Sequence, residues 1–129
     1  MFQSKAACND ELQKIQLPVV GRRECQKTLE NTPRFKGKGF RLHGSWMCIG
    51  GEEGKDTCKG DGGSPHVCKT DEGWTQVRSD ICTNWPQVGA VAWGVECGEA
   101  VPAIYSSIPN ATCWIDWVCN TQLSISWYT

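Results

Sequence analysis

A chain of 129 residues with a net charge of −1 is the size of one domain, and its charge is balanced. That balance argues against nucleic acid or an anionic membrane surface as partner, since both attract clustered lysine and arginine. No stretch reaches the roughly 18 consecutive apolar residues of a membrane span, while a domain of this size buries about two-thirds of its unfolded surface, enough for a real core.

Residues 1–11 are polar and irregular. Ile15, Leu17 and Val19 alternate with Gln16 and Pro18, which predicts a strand. Pro18 has no N–H to donate, so the strand lies at an edge or a bulge there. Arg22 to Leu29 is a predicted helix with Cys25 and Leu29, four residues apart, on its inner face. Asn31 to Gly39 is rich in Gly, Pro and Lys and is a predicted loop; Ser45 to Ile49 is a short apolar strand. Further strands are expected at Pro65–Lys69, Trp74–Ile81, Val88–Val95 and Ala103–Ile108, with Val88–Val95 apolar enough to be buried on both faces. Thr112 to Asn120 is a predicted helix with Trp114, Trp117 and Val118 as its apolar stripe and Asn110 or Thr112 as its cap. The tail Leu123–Thr129 is apolar enough to pack but has no assignment. Many short strands, Gly-rich turns and a final helix predict a mostly-β barrel or sandwich, without internal repeats or a domain boundary.

Nine cysteines are many for a cytosolic protein and point to an extracellular chain with disulfides. A zinc module needs close pairs such as Cys-x2-Cys, and the nearest spacings here are Cys58-x9-Cys68 and Cys113-x5-Cys119. No metal or cofactor is therefore expected. Met1 to Cys8 contains no apolar run of the kind a secretory signal needs. The expectation is that Met1 is not the natural start and that the chain is the C-terminal part of a longer secreted protein.

The stretch Asp56-Thr57-Cys58-Lys59-Gly60-Asp61-Gly62-Gly63-Ser64-Pro65 stands out. Its density of Gly and Asp predicts a tight loop that exposes backbone and aims N–H groups at an anion. It resembles the nucleophile loop of trypsin-like (chymotrypsin-fold, S1-type) serine proteases, Asp-x-Cys-x-Gly-Asp-Ser-Gly-Gly-Pro. Gly62 stands at the nucleophile position, and a serine follows two places later at Ser64. The reordered Gly-Asp-Gly-Gly-Ser-Pro is typical of the non-catalytic clip-domain or masquerade-like homologues of arthropods.

The resemblance covers about residues 12–118 within a single domain of 1–129. Residues 12–20 resemble the first strand of the family's second barrel. Ala92-Trp93-Gly94 is similar to the Ser-Trp-Gly strand that pairs with substrate backbone, Pro102-Ala103-Ile104-Tyr105 to Pro-Gly-Val-Tyr, and Trp114-Ile115 to the Trp-Ile of the C-terminal helix. The implied fold is all-β: the second six-stranded antiparallel barrel of the two-barrel architecture, with a short intermediate helix and a C-terminal helix. The resemblance also implies disulfides Cys25–Cys48 and Cys58–Cys97. It leaves Cys8, Cys68, Cys82, Cys113 and Cys119 unassigned, and residues 69–86, with the extra Cys82, are longer than is usual.

Acyl transfer on this fold needs a serine Oγ beside an imidazole that an aspartate orients. The family's upstream histidine and buried aspartate have no match here, and His43 and His66 are expected to be ordinary loop or strand histidines. The Ser64 Oγ is expected to lie several ångströms from the position that the N–H groups of Gly60 and Gly62 serve, where errors of about 1 Å already cost roughly 100-fold in rate. Asp56 matches the base of the specificity pocket, with the methyl of Ala103 intruding where the family has Gly; a solvated or locally paired Asp56 is expected. Asp61 matches the partner of an activation-generated N-terminus and is expected to bond local N–H groups instead. A phosphate-loop reading of residues 50–56 fails, because Asp follows Lys and Glu52 and Glu53 repel phosphate. Asn110-Ala111-Thr112 is a glycosylation sequon.

The expected function is that of a non-catalytic homologue acting as a secreted binding or cofactor protein. Its partners would be proteases or zymogens of an extracellular cascade such as prophenoloxidase activation in melanisation and innate immunity. Its working surface would be a degenerate substrate cleft of Asp56, Gly60, Asp61, Gly62, Ser64, Ala92, Trp93, Gly94 and Ala103. An endopeptidase fragment and a truncated, non-functional product are the alternatives. Gly62 disfavours the endopeptidase, and the missing first barrel, which leaves an apolar face uncovered, motivates the truncated product.

Overall fold

Short apolar strands punctuated by Gly-rich turns build one antiparallel sheet in the computed structural model, which describes residues 11–68 and 87–125. The elements are β1 (Val19–Val20), α1 (Arg22–Glu30), β2 (Trp46–Gly50), β3 (Pro65–Val67), β4 (Gln87–Trp93), β5 (Pro102–Ser107) and α2 (Ile108–Ile125). Among the described residues the sheet has five strands in the order β1-β2-β5-β4-β3. The predicted strand at Trp74–Ile81, with Cys82, lies outside the described residues, as does Cys8.

β5 is the central strand, and its side chains supply two cores on opposite faces, as a period of two requires. Ile104 is fully buried on one face with Cys25 and Leu29 from α1, Leu42 and Cys48. Ala103 and Tyr105 point to the other face, with Ile49 buried beside them and Leu17, Met47 and Val91 packed around. The pairing of Cys48 with Ile104 and of Ile49 with Ala103 fixes this division. Cys25 and Leu29, one turn apart, form the inner face of α1, and the Cys25–Cys48 disulfide bolts that face to β2 across a Cα separation of 6.3 Å. Gly89 of β4 sits where a Cβ would come within 2.9 Å of Met47 Sδ, so a side chain here would require the flexible end of Met47 to shift.

The outer side of α1 does a second job. Arg22 donates through its guanidinium to the carbonyls of Leu42 (2.9 Å), His43 (3.1 Å) and Trp46 (3.0 Å). One turn later the Gln26 amide donates to Phe40 O (2.6 Å), and its oxygen accepts from Leu42 N (2.5 Å). The rigid guanidinium fork matches several carbonyls at once. The helix thereby clasps the segment that leads into β2.

Several boundaries differ from the sequence expectation. The first strand is shorter, because Pro18 offers only its carbonyl, which accepts from Gly50 N at 2.8 Å; regular pairing begins at Val19. β4 is less buried than its apolar run predicts: only Gly89 is fully buried, and Ala92 is exposed. The C-terminal helix starts at Ile108, directly after β5, so Asn110 and Thr112 lie inside it rather than capping it. Pro109 suits that first turn, where its N–H is not needed. The helix's inner face is a half-buried stripe of Ile108, Ala111, Thr112, Ile115, Val118 and Cys119. Trp114 and Trp117 are 65% and 66% exposed, so the packed stripe is rotated away from the predicted one. Among the described residues, Cys68, Cys113 and Cys119 are free thiols.

Replacing the Arg22 fork with an apolar chain of similar length strips charge-assisted bonds from three carbonyls. Arg22→Met is expected to lower unfolding stability by about 1–2 kcal/mol, read as a drop in the urea midpoint with an unchanged slope. An unaltered midpoint would show that the clasp carries no stability.

Candidate functional site

The loop from Asp56 to Ser64 leaves β2 through a tight turn and enters β3. It is tethered at both ends. At the first end, Cys58 is bonded to Cys97, with the two Cα atoms 5.3 Å apart. The Asp56 carboxylate accepts from Thr57 N (2.8 Å) and from Gly98 N (3.1 Å), and Gly54 N donates to Gly98 O (2.8 Å). At the second end, Gly63 N donates to Val91 O (2.9 Å) and Val91 N to Ser64 O (3.0 Å), which extends the β3–β4 pairing into the loop. Within the loop, Asp61 N donates to Cys58 O (3.0 Å), and the Asp61 carboxylate accepts from Cys58 N (2.8 Å). Asp61 thus closes the turn on itself.

The glycines of the loop differ. Gly60 and Gly63 have φ of 101° and 84°, which favours glycine strongly. Gly62 has no positive φ, and a Cβ built there meets no atom within 4 Å. A side chain at this position would enter open space.

Burial raises the pKa of Asp56 above its ordinary 3.8, against the opposing effect of the Gly98 and Thr57 N–H bonds; nearby Asp61 adds repulsion. Next to it the Tyr105 hydroxyl donates to Thr57 Oγ1 (3.2 Å), and burial also pushes this phenol up. Ala103 is buried against Ile49 and Tyr105, with its methyl 3.9 Å from where a Cβ on Gly94 would lie.

The strand Ala92-Trp93-Gly94 borders this loop. Val91 pairs with Tyr105 but Trp93 with Ile104, so two steps on β4 match one on β5. Ala92 is the extra residue, and such a bulge bends the strand and re-aims its neighbours. Trp93 turns into a group of aromatic rings: Trp46 at 5.4 Å, Phe35 at 5.9 Å and Phe40 at 6.3 Å, all edge-on, with Phe35 and Phe40 stacked at 4.3 Å. Edge-on rings at these distances are favourable contacts. Phe35 and Phe40 are not among the predicted site residues. The available signal is two bulky apolar residues inside an otherwise Gly- and Lys-rich loop.

The histidines are engaged elsewhere. His43 Nδ1 lies 2.7 Å from Ser45 Oγ, and the ring meets Trp46 edge-on. His66 meets Tyr105 edge-on at 5.7 Å, its Nε2 is 3.6 Å from Cys68 Sγ, and burial lowers its pKa. Among the described residues neither ring hydrogen-bonds Ser64, and no group of three or more His, Cys, Asp or Glu is placed to hold a metal. Asp56, Gly60, Asp61, Gly62 and Ser64 share one tethered loop, and Ala92, Trp93 and Gly94 lie on the strand bonded to it through Val91; Ala103, expected to line a cleft, is instead buried in the core because its strand position faces Ile49 and Tyr105. The loop and strand offer backbone N–H groups, a half-buried carboxylate and aromatic rings.

The trypsin family model matches residues 2–115. The chain is 45% identical over 106 residues to phenoloxidase-activating factor 2 of Galleria mellonella, covering 81% of the chain and 32% of that relative. It is 37% identical over 106 residues to the inactive CLIP domain-containing serine protease A8 of Anopheles gambiae, covering 81% of the chain and 26% of the relative. It is 33% identical over 112 residues to the protein masquerade of Drosophila melanogaster, covering 86% of the chain and 9% of that protein. The chain thus spans a third or less of the length of these relatives.

Because Gly62 faces open space, Gly62→Ser is expected to leave the folded state intact and still to give no labelling by a fluorophosphonate probe, since both imidazoles are engaged elsewhere, His43 with Ser45 and Trp46 and His66 with Tyr105 and Cys68. Stable labelling at the new serine would overturn this. Asp56 makes a separate prediction. Its raised folded pKa means that the folded state holds the proton more tightly than the unfolded chain does. Stability measured against Asp56→Asn should be greatest below about pH 3.8 and should fall as pH rises through the raised folded pKa, then level off. A difference curve that rises over that window would refute the burial argument.

Proposed function

The chain belongs to the trypsin family, and we propose that it is a non-catalytic serine protease homologue acting as a secreted binding or cofactor protein in an extracellular protease cascade. The observation that carries this reading is Gly62: a residue without a side chain stands at the nucleophile position of an otherwise well-held loop. Removing the nucleophile of a comparable triad costs about a millionfold in rate. An endopeptidase would need Ser64 to act instead, but His66 is turned toward Tyr105 and Cys68.

Recognition needs less than catalysis does. The exposed backbone of Ala92 and Gly94 offers main-chain hydrogen bonds to an extended segment. The N–H groups of Gly60 and Gly62 are suited to a carbonyl or carboxylate. The neighbouring rings of Phe35, Phe40 and Trp93 supply the apolar contact that anchors protein interfaces. The partners are proteases or zymogens of the cascade. Relatives named as a phenoloxidase-activating factor and as inactive CLIP-domain proteases support this reading. The Cys25–Cys48 and Cys58–Cys97 bonds suit an oxidising, extracellular setting.

The test is a reconstituted prophenoloxidase activation assay with a separate active protease. The protein alone should cleave no chromogenic arginine or lysine substrate, yet should raise phenoloxidase output severalfold when protease and zymogen are both present. Amidase activity lost in Ser64→Ala would replace this reading with the endopeptidase one.

A further inference from the structure

We propose that Asn110 is an N-glycan acceptor and that the first sugar of the glycan packs on Trp114. The proposal rests on the export reading above, and nothing in the degenerate cleft enters it. Asn110-Ala111-Thr112 is the single Asn-x-Ser/Thr triplet with x other than proline in the sequence; Asn31-Thr32 is followed by Pro33. Asn110 is exposed in the first turn of α2, on the side away from the half-buried stripe of Ile108, Ala111, Ile115 and Val118.

Trp114 lies four residues on, on the same face as Asn110, and is 65% exposed. Residues four apart on a helix have Cβ atoms about 5–6 Å apart. Long helical side chains also lean toward the N-terminus, so the indole covers the surface over the turn that carries Asn110. A large aromatic ring left in water is costly, and the C–H face of a pyranose is a suitable cover for it. The sugar would therefore lie where the helix already presents an apolar plate.

The chemistry balances. Asn110 Nδ2 attacks the anomeric carbon of an oligosaccharide carried on a polyprenyl pyrophosphate. The new C–N bond replaces the anomeric C–O bond, the polyprenyl pyrophosphate leaves with the electron pair, and the proton that Nδ2 gives up passes to solvent. The amide has two N–H groups. One is consumed and one remains for the carbonyl of Gly44, which accepts from Nδ2 at 2.7 Å. Attachment to the entering chain precedes helix formation, so the helical position of Asn110 is no obstacle.

The experiment expresses the full chain behind an added secretion signal in insect cells and examines total lysate together with medium. Supplying the signal separates sequon use from natural export, and the lysate reports on chain that is retained. A peptide-N-glycosidase should increase the mobility of the wild-type protein and leave aspartate at position 110 in the peptide mass. Thr112→Val should abolish the shift and Thr112→Ser should keep it. An unmodified Asn110 in the wild type overturns the acceptor site. For the packing, Trp114→Ala should lower the thermal midpoint by several degrees in the glycosylated protein and by much less after enzymatic deglycosylation. An equal loss in both forms overturns the contact with Trp114.

Discussion

The loop of residues 56–64 is held from outside rather than from within. A segment with glycines at positive φ has many unfolded conformations to give up, and few side-chain contacts to offset that loss. The Cys58–Cys97 bond closes 39 residues of chain, worth roughly 4 kcal/mol on a chain-entropy account. The Asp56 carboxylate adds its bond to Gly98, so the loop and residues 97–98 are fixed as one unit. At the other end, Val91 bonds Gly63 and Ser64. Both tethers reach the same central pair of strands, because β4 pairs with β5 and Tyr105 of β5 bonds Thr57. The position of the loop is thus set by the sheet, and the sheet by the buried residues Ile104, Ala103 and Tyr105.

That arrangement makes much of the fold legible in the sequence. The helix at Arg22 is visible in the spacing of Cys25 and Leu29, since two apolar residues one helical turn apart can share a buried face, and both are fully buried there. β2 and β5 are visible as apolar runs, and the Gly-rich loop by its composition. The exposure of Trp114 is not legible: hydrophobicity draws the apolar stripe through the tryptophans, whereas the packed face uses smaller residues such as Ala111 and Thr112. The helix start is obscured because Asn110 and Thr112 resemble caps, while Pro109 fits a first turn equally well. The Arg22 clasp joins a side chain to carbonyls 20 to 24 residues away, and carbonyls carry no sequence signal.

The site divides in the same way. The Asp56, Asp61 and Ser64 positions can be named from the motif, and the local bonding expected of Asp61 is seen in its bond to Cys58 N. The Ala92 bulge cannot, because a bulge depends on which residues of the neighbouring strand face it. The covering of Trp93 by Phe35 and Phe40 depends on the path of a Gly-rich loop that has no periodicity to read. Those two features determine what the surface presents: an aromatic step beside an exposed backbone strand.

Gly62 separates shape from chemistry. The tethers of the loop pass through other residues: Asp56, Thr57, Cys58, Asp61, Gly63 and Ser64. Gly62 itself has neither a positive φ nor a neighbour within reach of a Cβ. The fold's stability is therefore nearly independent of what stands at 62, so a chain can lack a side chain there at little structural cost while the loop keeps its geometry. The converse holds for Gly60 and Gly63, whose backbone conformations resist any side chain. The loop's shape is thus enforced by disulfide, carboxylate and sheet, while its central position is left unconstrained.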